Sequence, residues 1–165
     1  MVTVRLATME DFEFFYELKC EESNVFWTGH GEKPQRENIY NFYKNAIANA
    51  DKQEARKIII VESDGVPVGH LYLIPDLENN CFDLAPAILE KHRGKGYAKM
   101  AYEQGLKLGR EYGFAKMRGS VREDNTASIK LLVSCGAVLL PEYKMVYIPK
   151  LDKEVKMFDV EIKLD

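Results

Sequence analysis

The stretch His92–Gly105, "HRGKGYAKMAYEQG", sets two close glycines among the basic side chains Arg93, Lys95 and Lys99, where a helical pattern begins. Glycine weakens a helix start unless the backbone must turn sharply or approach a ligand closely. Backbone N–H groups bared at a helix N-terminus, with basic side chains beside them, make a seat for phosphate. The chemistry expected here is therefore the holding of a phosphorylated ligand by the loop around Gly94 and Gly96. A Walker loop does not fit, because no Gly-x-x-x-x-Gly-Lys-Ser/Thr run occurs. A dinucleotide fingerprint does not fit either, since it needs a small residue where Lys99 stands and a parallel βαβ frame. What remains is Arg/Gln-x-x-Gly-x-Gly/Ala, filled by Arg93, Gly96 and Ala98.

The bulk of the chain narrows the ligand further. Its 165 residues, 46% hydrophobic and 30% charged, suit one globular domain spanning 1–165 with a sizeable core. A formal net charge of −3 leaves no footprint for nucleic acid, so the basic residues of the loop point to a small anion. Cys20, Cys81 and Cys135 are far apart and read as free thiols of a reducing compartment. His30, His70 and His92 form no ligand spacing, so no metal is expected. The N-terminus lacks the apolar run of a signal peptide and no stretch is long enough for a membrane span, so a cytoplasmic protein is expected.

The elements that must position the loop can be read in turn. "TVRLAT" alternates as a short strand, and Thr8 with Asp11 forms a capping box for a helix carrying Phe12, Phe15 and Tyr16. "SNVFWTGHGEKP" reads as a loop, after which Pro34 opens a helix with Ile39, Phe42, Tyr43, Ala46 and Ile47 on one face. Two apolar runs around Ser63-Asp64-Gly65 predict an antiparallel hairpin. A strand over Cys81–Ile88 follows, with Pro86 favouring an edge or a bulge. The helix after Gly96 ends at Gly113, "AKMRGSVRE" is a strand, and "NTASIKLLVSCG" is a helix started by Asn125. Final strands lie near Val138–Ile148 and Val155–Leu164. The order β-α-α-β-β-β-α-β-α-β-β is an α/β (α+β) domain with a mixed, mostly antiparallel sheet.

"LEKHRGKGYAKMAYEQGLKLGREYGF", followed by a strand and then "NTASIKLLVSCGA", resembles the GNAT superfamily of N-acetyltransferases. The resemblance implies a sheet of about six to seven strands flanked by about four helices. It also implies acetyl-CoA as co-substrate. The amides of Gly94, Lys95, Gly96, Tyr97, Ala98 and Lys99, with Arg93, would face the pyrophosphate. Pro86, Ala87 and Ile88 would pair with the pantetheine arm like an added strand, and Asn125 would touch that arm or cap its helix.

The resemblance is incomplete at the chemistry. The tyrosine that many relatives carry seven residues after the asparagine is Leu132 here, and the glutamate five before it is Ser120. Ser128 stands where other relatives carry a serine that orients or protonates the thiolate. Asp83 is a candidate base acting through water, and Tyr143 on a late strand is a candidate to reach the thioester. Phe26, Trp27, His30 and Glu32 are the candidate lining of an amine pocket. His70 and His92 are expected to be exposed or hydrogen-bonded rather than bases.

These readings converge on acetyl transfer from acetyl-CoA to a primary amine, of a small molecule or a peptide N-terminus, by direct attack. The alternatives are a longer acyl-CoA donor, or a non-catalytic CoA-binding sensor suggested by the two missing side chains. Neither nucleic acid nor membrane is an expected partner, and an exposed late strand would permit a homodimer.

Overall fold

The computed structural model describes residues 1–28 and 32–165. Among these the strands are β1 (Val2–Leu6), β2 (Lys57–Ser63), β3 (Val66–Asp76), β4 (Cys81–Ile88), β5 (Lys116–Arg122), β6 (Val138–Ile148) and β7 (Lys153–Lys163). The helices are α1 (Phe12–Cys20), α2 (Glu22–Trp27), α3 (Arg36–Ala48), α4 (Tyr97–Glu111) and α5 (Thr126–Ser134). One seven-stranded sheet runs β1-β2-β3-β4-β5-β7-β6, antiparallel throughout except between β4 and β5. None of the described helices is long and apolar enough to cross a membrane.

The α/β architecture and strand order follow the sequence reading, with two corrections. Ser23–Trp27, read as part of a loop, belong to the short helix Glu22–Trp27, held by the Asn24 side chain, which donates to the Leu18 carbonyl at 3.0 Å. Pro34 lies outside α3, which is capped by Gln35 and starts at Arg36.

The two sheet faces bury different helices because apolar residues alternate along β2 and β3. Ile58, Ile60 and Tyr72 face Phe12 and Phe15 of α1 and Tyr43 of α3. Ile59, Leu71 and Leu73 face the other way, with Phe82 and Leu84 of β4, Ala101, Tyr102 and Leu106 of α4, and Leu132 of α5. The entry into α1 is fixed by Asp11, which accepts two 2.8 Å hydrogen bonds from the Arg5 guanidinium and one of 2.8 Å from the Thr8 N–H.

Helix α4 lies unusually deep on the sheet. An added Cβ on Gly109 would stand 2.0 Å from Phe82 Cζ, and one on Gly105 2.7 Å from Leu71 Cδ2. The helix thus gives up propensity at these two positions for close packing over β4. Gly109→Ala is expected to destabilise the protein by about 1–3 kcal/mol through overpacking, despite the ~1 kcal/mol alanine gains in a helix interior. The urea midpoint measures it, and an unchanged or raised midpoint would mean that the Phe82 ring moves freely.

The parallel ladder between β4 and β5 is short. Only Cys81↔Lys116 and Phe82↔Met117 pair, after which the strands diverge. From Asp83 onward β4 keeps its antiparallel partner β3, through Leu71↔Pro86 and His70↔Ala87, while its other edge has no strand beside it. Pro86 therefore sits where a missing N–H breaks no ladder on the open side. At one end of the sheet β6 is an edge strand, with Tyr143, Met145 and Tyr147 exposed.

Candidate active site

A cleft runs from the opening between β4 and β5 to the start of α4. Its inner part, a cavity of about 280 Å³, is walled by Lys19, Trp27, His70, Tyr72, Asp83, Tyr102, Ser120, Arg122 and Leu132 among others. Its outer part, about 350 Å³, is walled by Ile88, Arg93, Gly94, Gly96, Tyr97 and Ala98. Pro86, Ala87, Asn125, Ser128 and Trp27 border both parts, so the two form one continuous space.

The outer part is built from the loop Arg93–Gly96. Gly94 and Gly96 have φ of +76° and +80°, and a Cβ on either would meet nothing within 4 Å. The left-handed backbone at both turns the chain into α4 and leaves its approach open. Among the described residues no backbone acceptor takes the N–H groups from Gly94 to Lys99. They stand at the positive end of the 15-residue α4, which suits an anion. Arg93 behaves differently from the sequence expectation of a phosphate ligand. Its Nε donates to the Ile88 carbonyl at 3.0 Å and its Nη2 to Ser23 Oγ at 2.8 Å, tying the loop to α2. Lys95 and Lys99 are exposed and border neither part of the cleft.

Asn125 caps α5, its Oδ1 accepting from the Ser128 N–H at 3.2 Å, and both residues face the cleft. Asp83 lies at the fork of the splay. Its Oδ1 accepts from the Leu84 N–H at 2.7 Å and stands where a Cβ on Gly119 of β5 would come within 2.3 Å. Burial pushes the Asp83 carboxyl up to about 6, against the opposing pull of the Leu84 hydrogen bond and of Arg56. Tyr102 donates to Met117 Sδ at 3.3 Å, and burial, with Asp83 next, drives its phenol well up.

Other sequence candidates are scattered. Tyr143 is exposed on the edge strand, its ring beside Phe158, and borders neither part of the cleft. Its strand lies beyond β7 from the splay, which corrects its assignment to the thioester. Trp27 borders the cleft, its ring 4.7 Å from the Arg122 guanidinium, and Phe26 flanks the same guanidinium at 5.1 Å without bordering the cleft. Glu32 is exposed away from it, and His30 lies outside the described residues.

His70 also departs from expectation, being 2% exposed with neither ring nitrogen hydrogen-bonded among the described residues. Burial, then the Lys19 charge, hold its ring well below the ordinary histidine range and thus neutral. Sequence reasoning passed over Lys19, Tyr72 and Arg122. For Tyr72 the signal was present, since alternation in "GHLYLI" puts it on the same face as His70.

The Acetyltransferase (GNAT) family model matches residues 12–137. This chain belongs to the GNAT family. Solved structures share the fold at low identity. Ribosomal-protein-alanine N-acetyltransferase from Brucella melitensis matches with a TM-score of 0.79 and 17% identity, over 98% of this chain and 99% of that one. Spermidine N-acetyltransferase from Vibrio cholerae, in complex with CoA and spermine, matches at 0.83 and 18%, over 98% and 95%. An N-acetyltransferase from Staphylococcus aureus Mu50 matches at 0.81 and 15%, over 100% and 99%. No curated protein sequence matches significantly. As a GNAT acetyltransferase the chain is a transferase. Leu132 and Ser120, the two positions at which the sequence resemblance is incomplete, both border the inner cavity.

Proposed function

We propose that the chain moves an acetyl group from acetyl-CoA to a primary amine by direct attack, in the space between β4 and β5. The observation that carries this reading is the continuity of the cleft: amides at the start of α4, unpaired among the described residues, lead along the open edge of β4 to the half-buried carboxyl of Asp83. Solved GNAT neighbours with CoA bound, and with spermidine or a ribosomal-protein alanine named as acceptor, support the same class of chemistry.

Acetyl-CoA supplies an activated thioester. The amides from Gly94 to Lys99 hold its diphosphate, while Pro86, Ala87 and Ile88 present a bare strand edge to its amide-bearing arm, with Asn125 opposite. As the amine nitrogen bonds to the carbonyl carbon and the carbon–sulfur bond breaks, the amine loses a proton and the thiolate gains one. Asp83 takes the first, directly or through water, and Ser128 or a water it orients gives the second.

Acetyl-CoA is expected to raise the melting temperature by several degrees at saturating concentration, since a ligand held only by the folded state at 100 times its Kd adds about 2.7 kcal/mol. NAD is expected to leave it unchanged. No shift with acetyl-CoA counts against the reading. A shift without thiol release over a broad amine panel would favour the non-catalytic sensor, and faster release from longer thioesters would change the donor. The exposed Tyr143, Met145 and Tyr147 on the edge strand β6 support a homodimer, checked by light scattering.

A further inference from the structure

The inner cavity holds more cationic and hydrogen-bonding capacity than acetyl transfer requires. Lys19 borders it, with Nζ 4.6 Å from the centre of the Tyr72 ring and 5.4 Å from that of Phe15. Among the described residues no carboxylate lies within ion-pair distance of Lys19. Burial, then repulsion from Arg56, pull its ammonium down to about 8, so it still carries a proton at neutral pH. Arg56 stands behind the same wall, 5.1 Å from the Tyr72 ring, and likewise has no ion-pair partner among the described residues.

Across the cavity Arg122 is 5% exposed. Its Nε and Nη2 donate to Asp124 at 3.0 and 2.7 Å, but Nη1 is buried with no partner among the described residues. Among the described residues both nitrogens of the neutral His70 are unpartnered as well. A buried donor left unsatisfied costs about 1–3 kcal/mol, so such a group in a native protein is completed by an ordered water, an ion or a ligand, or serves the chemistry of the site. Against these groups the cavity wall carries one carboxyl, Asp83. A polyamine would add positive charge beside Lys19 and Arg56 and find little to neutralise it.

We infer that the acceptor is a small molecule of amino-acid type, bearing a carboxylate or similar oxyanion besides the amine, and that Lys19 and Arg122 Nη1 receive that anionic group. The inference rests on the acetyl-transfer reading for the fate of the amine. The anion completes the ammonium of Lys19 and the free donor of Arg122, and His70 offers a further N–H. The amine is thereby turned toward Asp83 in the splay. Lys19 and Arg122 would then set specificity, with no part in the proton transfers.

The test compares matched probes on the CoA-loaded protein by calorimetry: N-acetyl-L-amino acids, their primary amides, N-acetyl dipeptides and N-acetylspermidine. In parallel, thiol release is followed with the corresponding free amines and acetyl-CoA. The free acids are expected to bind at least about tenfold more tightly than the amides and to be acetylated with the higher kcat/KM. Lys19→Met is expected to bring the acid-to-amide ratio near one, Arg122→Gln to lower it, and Lys19→Arg to restore most of it. A change of ratio reports recognition, where a merely structural loss would weaken both probes alike.

Dipeptides binding as well as single amino acids would move the source of the carboxylate to a peptide while keeping the anionic class. Equal binding of acids and amides, preference for the spermidine probe, or no binding of any probe overturns the inference. Binding of the acids without thiol release from any amine would instead overturn the catalytic reading and leave the anion site standing.

Discussion

Asp83→Asn is expected to lower kcat/KM by about 10²–10⁴-fold, the range supplied by a positioned general base, and at the same time to stabilise the protein. Both effects have one cause. The carboxyl is half-buried at the fork of β4 and β5, over Gly119, and desolvation disfavours its ionised form enough to raise it to about 6. A base with that value is ionised at neutral pH and still basic enough to accept a proton from an amine or an ordered water. Activity limited by Asp83 should therefore fall as pH drops through about 6.

The folded state binds this proton more tightly than the unfolded chain. Stability consequently declines as pH rises from the ordinary aspartate range through about 6, and the full cost persists above it. A raise from 3.8 to about 6 corresponds to about 3 kcal/mol. Asparagine keeps an oxygen for the Leu84 N–H and has no charge to desolvate. The variant should gain up to about 3 kcal/mol at pH 8, with the gain vanishing below about pH 3. Urea titrations at the two pH values, beside steady-state rates, give the answer. Near-normal turnover, or lost activity accompanied by lost stability at pH 8, would remove Asp83 from the role of base.

The second large effect is expected at the start of α4. Gly96→Asp should weaken CoA binding by about 100-fold or more, a loss of ~2.7 kcal/mol. Gly96 has a φ of +80°, which strains any side chain placed there, but the space where a Cβ would go is open. Aspartate and asparagine are the non-glycine residues that accept this backbone region most readily, at roughly 1–2 kcal/mol. The new carboxylate, however, would stand beside the diphosphate, and like charges about 4 Å apart repel by about 4 kcal/mol at an effective dielectric of 20. Gly96→Asn separates the charge from the backbone effect and should bind CoA much more tightly than Gly96→Asp. Pantetheine, which lacks the diphosphate, should bind both variants and the wild type alike. A CoA affinity unchanged in Gly96→Asp would mean that the diphosphate lies elsewhere.

Much of this site was legible in the sequence because its outer part is local. Cys81–Ile88, the turn to Gly96 and the helix from Tyr97 are consecutive, and their glycine, proline and capping signals report backbone geometry directly. The inner part is assembled from α1, α2, β3, β4 and β5, which meet only because β4 and β5 part after two paired residues. No local pattern announces that divergence, so Lys19 and Arg122 carried no signal from spacing alone. Helix α2 was missed because its six residues lack a side-chain cap and hold through contacts made elsewhere, such as Arg93 to Ser23. His70 was expected to be exposed or hydrogen-bonded, and among the described residues it is neither, because its place in β3 buries the ring among aromatic side chains that offer no acceptor.

The grip of Arg93 on Ile88 and Ser23 links the two ends of the cleft mechanically. Ser23 lies in the first turn of the short helix that ends at Trp27, so a settling of the loop around a bound donor would be passed to the aromatic wall of the inner cavity. On the proposed acetyl transfer, such a linkage predicts a sequence of events: the thioester docks first, the far wall is then finished, and the second substrate finds its place only afterwards. Initial-rate patterns that intersect, with CoA competitive against acetyl-CoA alone, are the kinetic signature of that order.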